Sequence, residues 1–228
     1  MEIKDSEIAF CSVAFGYNDK RYVEMLDRLI ESLNKIHPES KQYIFRDVYP
    51  GGSKTHEESM YGFKVHAVQS ALNDGYKKIV WLDSACIITK DIKRIFKHCD
   101  KYGVLAVSDD NLLGNFCSDK ALQHFNINRE EAINKKYKFA SGSFYAFDFN
   151  IQLCLDIFNT WKECENLGLF GSTQDESSGK LQGHRHDETC FGLSLYKHGS
   201  NYCDRMDCGY ECCADDCNEK IIIKRHFK

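Results

Sequence analysis

The chain has 228 residues, of which 43% are hydrophobic and 28% are charged, with only 2 prolines. This composition suits one folded domain with a continuous apolar core. A formal net charge of -4 gives no electrostatic basis for nucleic-acid binding. No apolar run reaches the length that spans a bilayer, and the first ten residues carry acids where a secretory signal would carry positive charge. We therefore expect a cytoplasmic protein without a transmembrane segment.

Along the chain, segments with the hydrophobic pattern of a strand alternate with segments that have the pattern of a helix. Short apolar runs rich in β-branched and aromatic residues predict strands at 8–15, 43–48, 79–82 and 104–107, with a late strand at 221–223. Apolar residues at helical spacing predict helices at 19–37, 56–72, 91–98, 151–165 and 188–196. An apolar segment at 139–149 begins with small residues, and the Gly- and Ser-rich stretch 168–183 predicts a mobile loop. The alternation predicts an α/β fold, with a mainly parallel sheet flanked by helices in a single domain over residues 1–228.

Asp83 is the most informative position, because it directly follows the apolar run 79–82. In open α/β sheets, ligands bind at the carboxyl ends of the strands. A carboxylate there can hold a divalent cation or a ribose hydroxyl, which indicates nucleotide or nucleotide-sugar chemistry. The alternative is an ordinary turn aspartate that caps the next segment. Position alone leaves both interpretations open.

Two common nucleotide-binding motifs are missing. A dinucleotide-binding fold carries GxGxxG after its first strand, and P-loop enzymes carry GxxxxGK[ST]. The turn at 15–19 holds one glycine, and no GxxxxGK[ST] occurs in the chain. The dinucleotide and P-loop interpretations are therefore weak.

Cysteine is unusually frequent, with 12 residues. Several lie among apolar residues, as buried structural thiols do, for example Cys11, Cys86, Cys154 and Cys190. Five others lie in a Cys-rich segment at 199–219, with the spacing Cys203-x4-Cys208-x3-Cys212-Cys213-x3-Cys217. This spacing lacks the CxxC pair of zinc modules, and the absence of a secretory signal in the sequence argues against disulfides. Zinc binding, disulfides and reduced thiols stay open as hypotheses, with reduced thiols favoured.

Five short segments, taken in order, carry a resemblance to one enzyme family. They are Ser12–Tyr17, Gly62–Lys64, Val80–Ala85, Phe139–Phe147 and Gly183–Thr189. In the same order they resemble the base-binding opening, a donor-contacting cation, the DxD motif, the NSG strand and the RHDQS segment of nucleotide-sugar-dependent glycosyltransferases of GT-A fold. The small glycogenin-like and capsule-type enzymes of bacteria or viruses are the group that the chain resembles. The match covers residues 8–98 and 137–198, and the order of the motifs is more specific than any one of them.

The resemblance implies a Rossmann-like GT-A fold and a hexosyl- or pentosyltransferase. Such an enzyme moves a sugar from a UDP- or GDP-sugar to a glycan or protein-linked acceptor, in the bacterial cell or, for a viral member, in the host cytoplasm. The donor-binding residues that it implies are Phe15, Tyr17, Lys64, Asp83, Ser84, Ser141, Gly142, Arg185 and His186. In an inverting enzyme a carboxylate takes the proton of the acceptor hydroxyl. Asp187 is the first candidate for this base, with Glu188 and Asp109 as alternatives; in a retaining enzyme Asp187 would orient the sugar instead.

The chain departs from the family at the second aspartate of DxD, where it has Ala85. In the family that carboxylate is a main ligand of Mn²⁺ or Mg²⁺, which neutralises the diphosphate leaving group. One hypothesis is a metal held by Asp83, His226 and the donor phosphates. The other is metal-free catalysis, in which Lys64 and the basic C-terminal residues supply the positive charge.

Simpler interpretations and other function classes compete with this one. Asp187 would cap the helix at 188–196, Lys64 would be a solvated charge, and Ser141 with Gly142 would be a tight packing site. A sugar nucleotidyltransferase shares this kind of sheet, but it opens with a Gly-rich basic loop that the turn at 15–19 lacks. The remaining alternative is a catalytically inactive GT-A-like domain that binds zinc through residues 199–219 and acts as an interaction module.

Overall fold

Strands at the centre and helices on both sides make up the part of the chain that the computed structural model describes, which is residues 3–17, 19–171, 183–203, 209–212 and 223–225. At residues 109, 110, 210–212, 224 and 225 the structure describes the backbone only. The strands are β1 (Ile8–Ala14), β2 (Lys41–Arg46), β3 (Lys78–Leu82), β4 (Cys86–Ile88), β5 (Val104–Leu112), β6 (Lys138–Asp148), β7 (Tyr210–Cys212) and β8 (Ile223–Arg225). The helices are α1 (Arg21–Ile36), α2 (Phe63–Asn73), α3 (Phe96–Tyr102), α4 (Leu113–Phe116), α5 (Asp119–His124), α6 (Arg129–Asn134), α7 (Gln152–Asn166) and α8 (His186–Lys197).

The central sheet has the strand order β2-β1-β3-β6-β5. β1 pairs in parallel with β2 and β3, whereas β6 runs antiparallel to both of its neighbours, β3 and β5. The sheet is therefore mainly parallel with one reversed strand, which confirms the predicted fold class. A smaller sheet has the order β4-β8-β7, with Cys86 of β4 opposite Arg225 of β8.

Every residue of β1 is buried, as expected for a strand covered by helices on both faces. On one face, Cys11 and Val13 join an apolar cluster with residues of α2, α7 and α8. On the other face, Phe10 and Ala14 join a second cluster with residues of α1 and α3. Successive side chains of a strand point to opposite faces, so β1 holds the two halves of the core together and its carboxyl end is fixed in place.

Aromatic side chains fill the core between α7, α8 and β6. The ring centroid of Phe191 lies 4.3 Å from that of Tyr145 and 5.0 Å from that of Trp161. All three side chains are fully buried, and burial of each such side chain contributes about 1.5–3 kcal/mol. This packing fixes α8 against the sheet close to its first turn.

Several predicted elements differ from the observed ones. The predicted helix 56–72 begins at Phe63, because Tyr61 has a φ of 62° and this left-handed backbone breaks the helical path. The predicted helix 91–98 is a 3₁₀ turn at Lys93–Ile95 followed by α3. The strand predicted at 104–107 continues to Leu112, and the one predicted at 221–223 is described from Ile223. In the predicted loop 168–183, residues 172–182 lie outside the described ranges.

The predicted buried thiols are confirmed. Cys11, Cys86, Cys154 and Cys190 are fully buried as reduced cysteines, and burial raises the pKa of the Cys11 thiol well above its ordinary value. Of the Cys-rich segment, Cys203 is buried with Sγ 3.5 Å from His98 Nε2. The other cysteines of that segment lie outside the described side chains, so its state stays a prediction. Within the described ranges, no helix combines the length and the apolar character needed to cross a membrane.

Gly103 ends α3 with a φ of 77°, a backbone conformation that favours glycine. A methyl group there would lie 2.8 Å from Leu153 Cγ and 2.9 Å from the backbone nitrogen of Cys154. We expect Gly103→Ala to lower the free energy of unfolding by about 2 kcal/mol or more in urea denaturation, through strain and overpacking. Gly51→Ala is the control, because nothing lies within 4 Å of its added methyl group. Equal losses in the two variants would contradict this account.

Candidate active site

A cleft of about 380 Å³ opens where β1 and β3 end. Its walls come from the turn after β1, from the residues after β3 and from the segment before α2. Side chains that line it include Phe15, Tyr17, Tyr61, Phe63, Trp81 and Asp83. The carboxyl ends of parallel strands are where ligands bind in folds of this class, so the cleft is the candidate active site.

One wall of the cleft is aromatic. The Phe15 ring centroid lies 4.4 Å from that of Tyr49, 5.3 Å from that of Tyr17 and 5.6 Å from that of Phe63. At the rim, the hydroxyls of Tyr17 and Tyr49 are 3.0 Å apart, and Tyr17 is 61% exposed. Flat apolar faces with a polar rim can stack a planar ring such as a nucleobase.

Asp83 lines the cleft directly after β3. Its backbone N–H donates to the carbonyl oxygen of Ser143 on β6, at 2.9 Å. Its side chain is 22% exposed, and Oδ1 lies 3.7 Å from Lys64 Nζ. The following Ser84 is buried in the same wall. The carboxylate thus faces a hollow beside a cation, while the Asp83 carbonyl oxygen accepts the Cys86 N–H at 2.9 Å in the turn that follows β3.

Lys64, in the first turn of α2, is buried rather than solvated. Its ammonium donates to Asp187 Oδ2 at 2.9 Å and to the carbonyl oxygen of Gly142 at 3.0 Å. The ammonium also lies 5.0 Å from the centre of the Tyr61 ring, within the range of a cation–π contact. Asp187 is equally buried, and its carboxylate binds Lys64 rather than capping α8.

Burial and pairing shift the pKa values of this ion pair. Burial alone would lower the pKa of Lys64, but the nearby carboxylates of Asp187, Asp83 and Glu188 raise it above its ordinary value. The ammonium therefore keeps its charge at any physiological pH. Burial raises the pKa of Asp187 to about 7, against the attraction of Lys64, and the negative charges of Glu188 and Asp83 add to the rise.

Glu188 is held against β6 by a glycine. The Gly142 N–H donates to Glu188 Oε1 at 2.9 Å, and Arg185 Nε donates to Glu188 Oε2 at 3.1 Å. A methyl group at Gly142 would lie 2.7 Å from Lys64 Nζ and 2.8 Å from Glu188 Oε1. Only a residue without a side chain lets both charged groups reach the strand backbone here.

Both tryptophans of the chain hydrogen-bond to backbone carbonyls of this site. The Trp81 indole N–H donates to the carbonyl oxygen of Gly142 at 3.1 Å. The Trp161 indole N–H donates to the carbonyl oxygen of Asp187, also at 3.1 Å. These bonds fix the positions of β6 and of the first turn of α8 relative to the core.

His186 and the nearby His184 link the start of α8 to the two residues Leu169 and Phe170, which follow α7. His186 has a φ of 45°, and its Nδ1 lies 2.7 Å from the carbonyl oxygen of Phe170. His184 Nε2 lies 2.9 Å from the carbonyl oxygen of Leu169. Both histidines are buried, as is Ser141 beside Gly142. The His186 imidazole is thus engaged in holding the fold.

The structure brings most of the predicted site residues together. Phe15, Tyr17, Asp83 and Ser84 line the cleft. Beside it, hydrogen bonds that meet at the Gly142 backbone link Lys64, Gly142, Arg185, Asp187 and Glu188. His226 lies outside the described residues, and so does the side chain of Asp109. Sequence reasoning missed the aromatic residues that precede Lys64, which are Tyr49, His56, Tyr61 and Phe63; their density over 49–63 was the available signal.

The described side chains do not by themselves form a metal site. Among them, no group of three His, Cys, Asp or Glu residues is arranged to hold a metal ion. Ala85, where the DxD motif has its second aspartate, is buried in the cleft wall and offers no side-chain oxygen. Among the residues that line the cleft, Asp83 alone supplies a carboxylate.

The solved structures that share this overall fold include two glycosyltransferases. One is the galactosyltransferase LgtC, solved in complex with donor and acceptor sugar analogues, with a TM-score of 0.50, 11% identity and coverage of 96% of this chain and 86% of that chain. The other is mouse xyloside xylosyltransferase 1 in its apo form, with a TM-score of 0.55, 10% identity and coverage of 96% of both chains. The chain has the GT-A fold. No protein-family model matches the chain, and no curated protein sequence matches it.

Lys64→Met should destabilise the GT-A domain, because it leaves the Asp187 carboxylate buried without its cation. We expect the free energy of unfolding at pH 8 to fall by about 3–5 kcal/mol. The folded chain holds the Asp187 proton more tightly than the unfolded chain does, since burial raises the pKa of Asp187 to about 7. The stability linked to that proton is complete below about pH 4 and is lost as the pH rises through about 7. The loss in Lys64→Met should therefore be smaller at pH 5.

Urea denaturation at pH 5 and pH 8 measures this difference. The double variant Lys64→Met with Asp187→Leu serves as the control, because it removes both charges and should recover most of the stability. The same loss at both pH values would show that the buried charge of Asp187 is not its cause.

Proposed function

We propose that this protein transfers a sugar from a nucleoside diphosphate sugar, such as a UDP- or GDP-sugar, to a hydroxyl of a glycan or protein-linked acceptor. The observation that carries the proposal is the position of Asp83. It stands at the carboxyl end of β3, between an aromatic cleft on one side and the buried Lys64–Asp187 pair on the other. This order suits a ligand with a base at one end, a diphosphate in the middle and a sugar at the other.

The aromatic wall is the proposed binding site of the base. Phe15 offers a ring in contact with Tyr17, Tyr49 and Phe63, and stacking on such rings is tolerant of base identity. This tolerance is why both uridine and guanosine donors stay within the proposal. The sugar would then lie toward Asp83, whose carboxylate is 3.7 Å from the buried Lys64 ammonium.

Transfer requires one bond to break and one to form at the anomeric carbon. The bond from that carbon to the diphosphate oxygen breaks, the acceptor oxygen bonds to the carbon, and a carboxylate takes the acceptor proton if the configuration inverts. Asp187 is almost inaccessible and bound to Lys64, whereas the Glu188 side chain is 16% exposed. These facts support Glu188 as the proposed base, with Asp187 proposed to orient Lys64 and the sugar.

The leaving diphosphate needs positive charge nearby, and the described part of the site contains few cations. The carboxylates of Asp83, Asp187 and Glu188 outnumber the cations Lys64 and Arg185 within the described part of the site. One proposed source is Mn²⁺ or Mg²⁺ with Asp83 and His226 as ligands; the other is Lys64 with the basic C-terminal residues. The pairing of β8 with β4 supports both, because it sets the chain just before His226 beside the cleft wall.

Phe15→Ala tests the proposed base site. Stacking on an aromatic side chain contributes about 1–3 kcal/mol per base, so we expect the affinity for UDP or GDP, measured by calorimetry, to fall about tenfold or more. Tyr102→Ala is the control, because Tyr102 ends α3, before the start of β5 and away from the cleft. Equal affinities of wild type and Phe15→Ala would place the base elsewhere. Absence of any nucleoside diphosphate binding by the wild type would remove the proposed function.

Asp83→Asn tests the proposed role of this carboxylate. We expect the variant to lose the part of the UDP affinity that depends on Mn²⁺, because an amide oxygen is a much weaker cation ligand than a carboxylate. Calorimetry with Mn²⁺ and with a chelator measures that part, and Asp91→Asn, an exposed acid outside the cleft wall, is the control. If the chelator changes neither affinity nor turnover of the wild type, the metal hypothesis is wrong and the metal-free one stands.

A further inference from the structure

Tyr61 is held in a strained conformation at the edge of the cleft. Its φ of 62° is costly for a residue with a large side chain, by about 1–3 kcal/mol, and persists only where the surroundings enforce it. The strain places its ring in the cleft wall, with the centroid 5.0 Å from Lys64 Nζ and 4.7 Å from the His56 ring. Contacts with other residues must therefore offset the strain at Tyr61.

The segment 55–62, called the 55–62 turn below, packs against a buried carboxylate that does not line the cleft. Glu165, in the last turn of α7, is only 1% exposed. Its Oε2 lies 3.5 Å from His66 Nε2 on α2, and its Oε1 lies 3.8 Å from Lys54 Nζ. A methyl group on Gly62 would lie 3.1 Å from Glu165 Oε1 and 2.6 Å from Ser59 Oγ. The carboxylate thus sits directly beneath the residues that flank Tyr61.

The surrounding polar groups keep this carboxylate charged. Burial alone would raise the pKa of Glu165, but His66, Ser59 and Lys54 lower it, so the carboxylate is ionised at neutral pH. Among the described residues, Ser59 Oγ, His66 Nε2 and Glu165 Oε1 are buried without a well-formed hydrogen bond. The carboxylate is therefore held mainly by its ion-pair distances to His66 and Lys54. Replacing both partners of a buried ion pair by apolar side chains is often neutral or stabilising, whereas removing one partner is destabilising.

We propose that Glu165 is a positioning residue for donor binding, whose carboxylate holds the 55–62 turn so that Tyr61 stays over Lys64 in the cleft. The inference rests on the proposed function only in that the cleft binds the donor. Glu165 acts from outside the cleft through Ser59, Gly62 and His66. The ligand is the nucleoside diphosphate sugar. The Tyr61 ring borders the space between the aromatic wall and Lys64 in which that ligand would lie.

Binding measured well below the melting temperature separates positioning from stability. We expect the folded Glu165→Leu variant to bind UDP or GDP about tenfold more weakly than the wild type. A purely structural role would lower the melting temperature and leave the affinity of the folded protein unchanged. Glu165→Gln keeps the polar contacts and should bind within about threefold of the wild type. Glu163→Leu, at an exposed position of the same helix, is the control and should change neither quantity.

A double variant shows whether the effect passes through Tyr61. Tyr61→Ala should weaken binding by itself, and Glu165→Leu should then add little, because residues that act through one contact are not additive. Additive losses, or wild-type affinity in Glu165→Leu, would overturn the proposal.

Amide hydrogen exchange without nucleotide keeps this inference separate from the proposed function. In Glu165→Leu the amides of 55–62 should exchange at least tenfold faster, while those of β1 and β3 stay unchanged. If the wild type binds no nucleoside diphosphate, the proposed function is lost and this exchange alone decides whether Glu165 holds the turn. Unchanged exchange in 55–62 overturns the proposal whatever the binding result.

Discussion

The buried ammonium of Lys64 is the interaction on which the site depends. A charge removed from water must find hydrogen-bonding acceptors or it unfolds its surroundings. Here the acceptors come from two other elements, Asp187 on α8 and the Gly142 carbonyl on β6, with Asp83 of the β3 end close by. One cation thus ties together three parts of the chain that carry the site, and α8 lies 123 residues from Lys64 along the sequence.

The reversed strand β6 makes this meeting possible. Since β6 runs antiparallel to β3, its Ser143 accepts the Asp83 N–H, and the preceding Gly142 lies at the same edge of the sheet. Because Gly142 has no side chain, both Lys64, which precedes it in the sequence, and Glu188, which follows it, can reach its backbone. The aromatic cleft and the buried charges beside it consequently meet at Asp83.

Strand–helix alternation and the acid after the third strand were readable in the sequence, because both depend on short-range periodicity. The pairing of Lys64 with Asp187 was not readable as a contact, because it depends on the packing of distant elements. Helix periodicity also misplaced the start of α2, since the left-handed backbone of Tyr61 leaves no mark in the spacing of apolar residues. His226 and the Cys-rich segment stay predictions.

The two indole N–H bonds have a practical consequence. Trp81 borders the cleft, Trp161 lies behind Asp187, and the chain contains no third tryptophan. Its tryptophan fluorescence therefore comes from two rings that are hydrogen-bonded to backbone carbonyls at the candidate site. With excitation selective for tryptophan, emission intensity or wavelength would report on occupancy of the cleft, so titrations need neither a dye nor an engineered label.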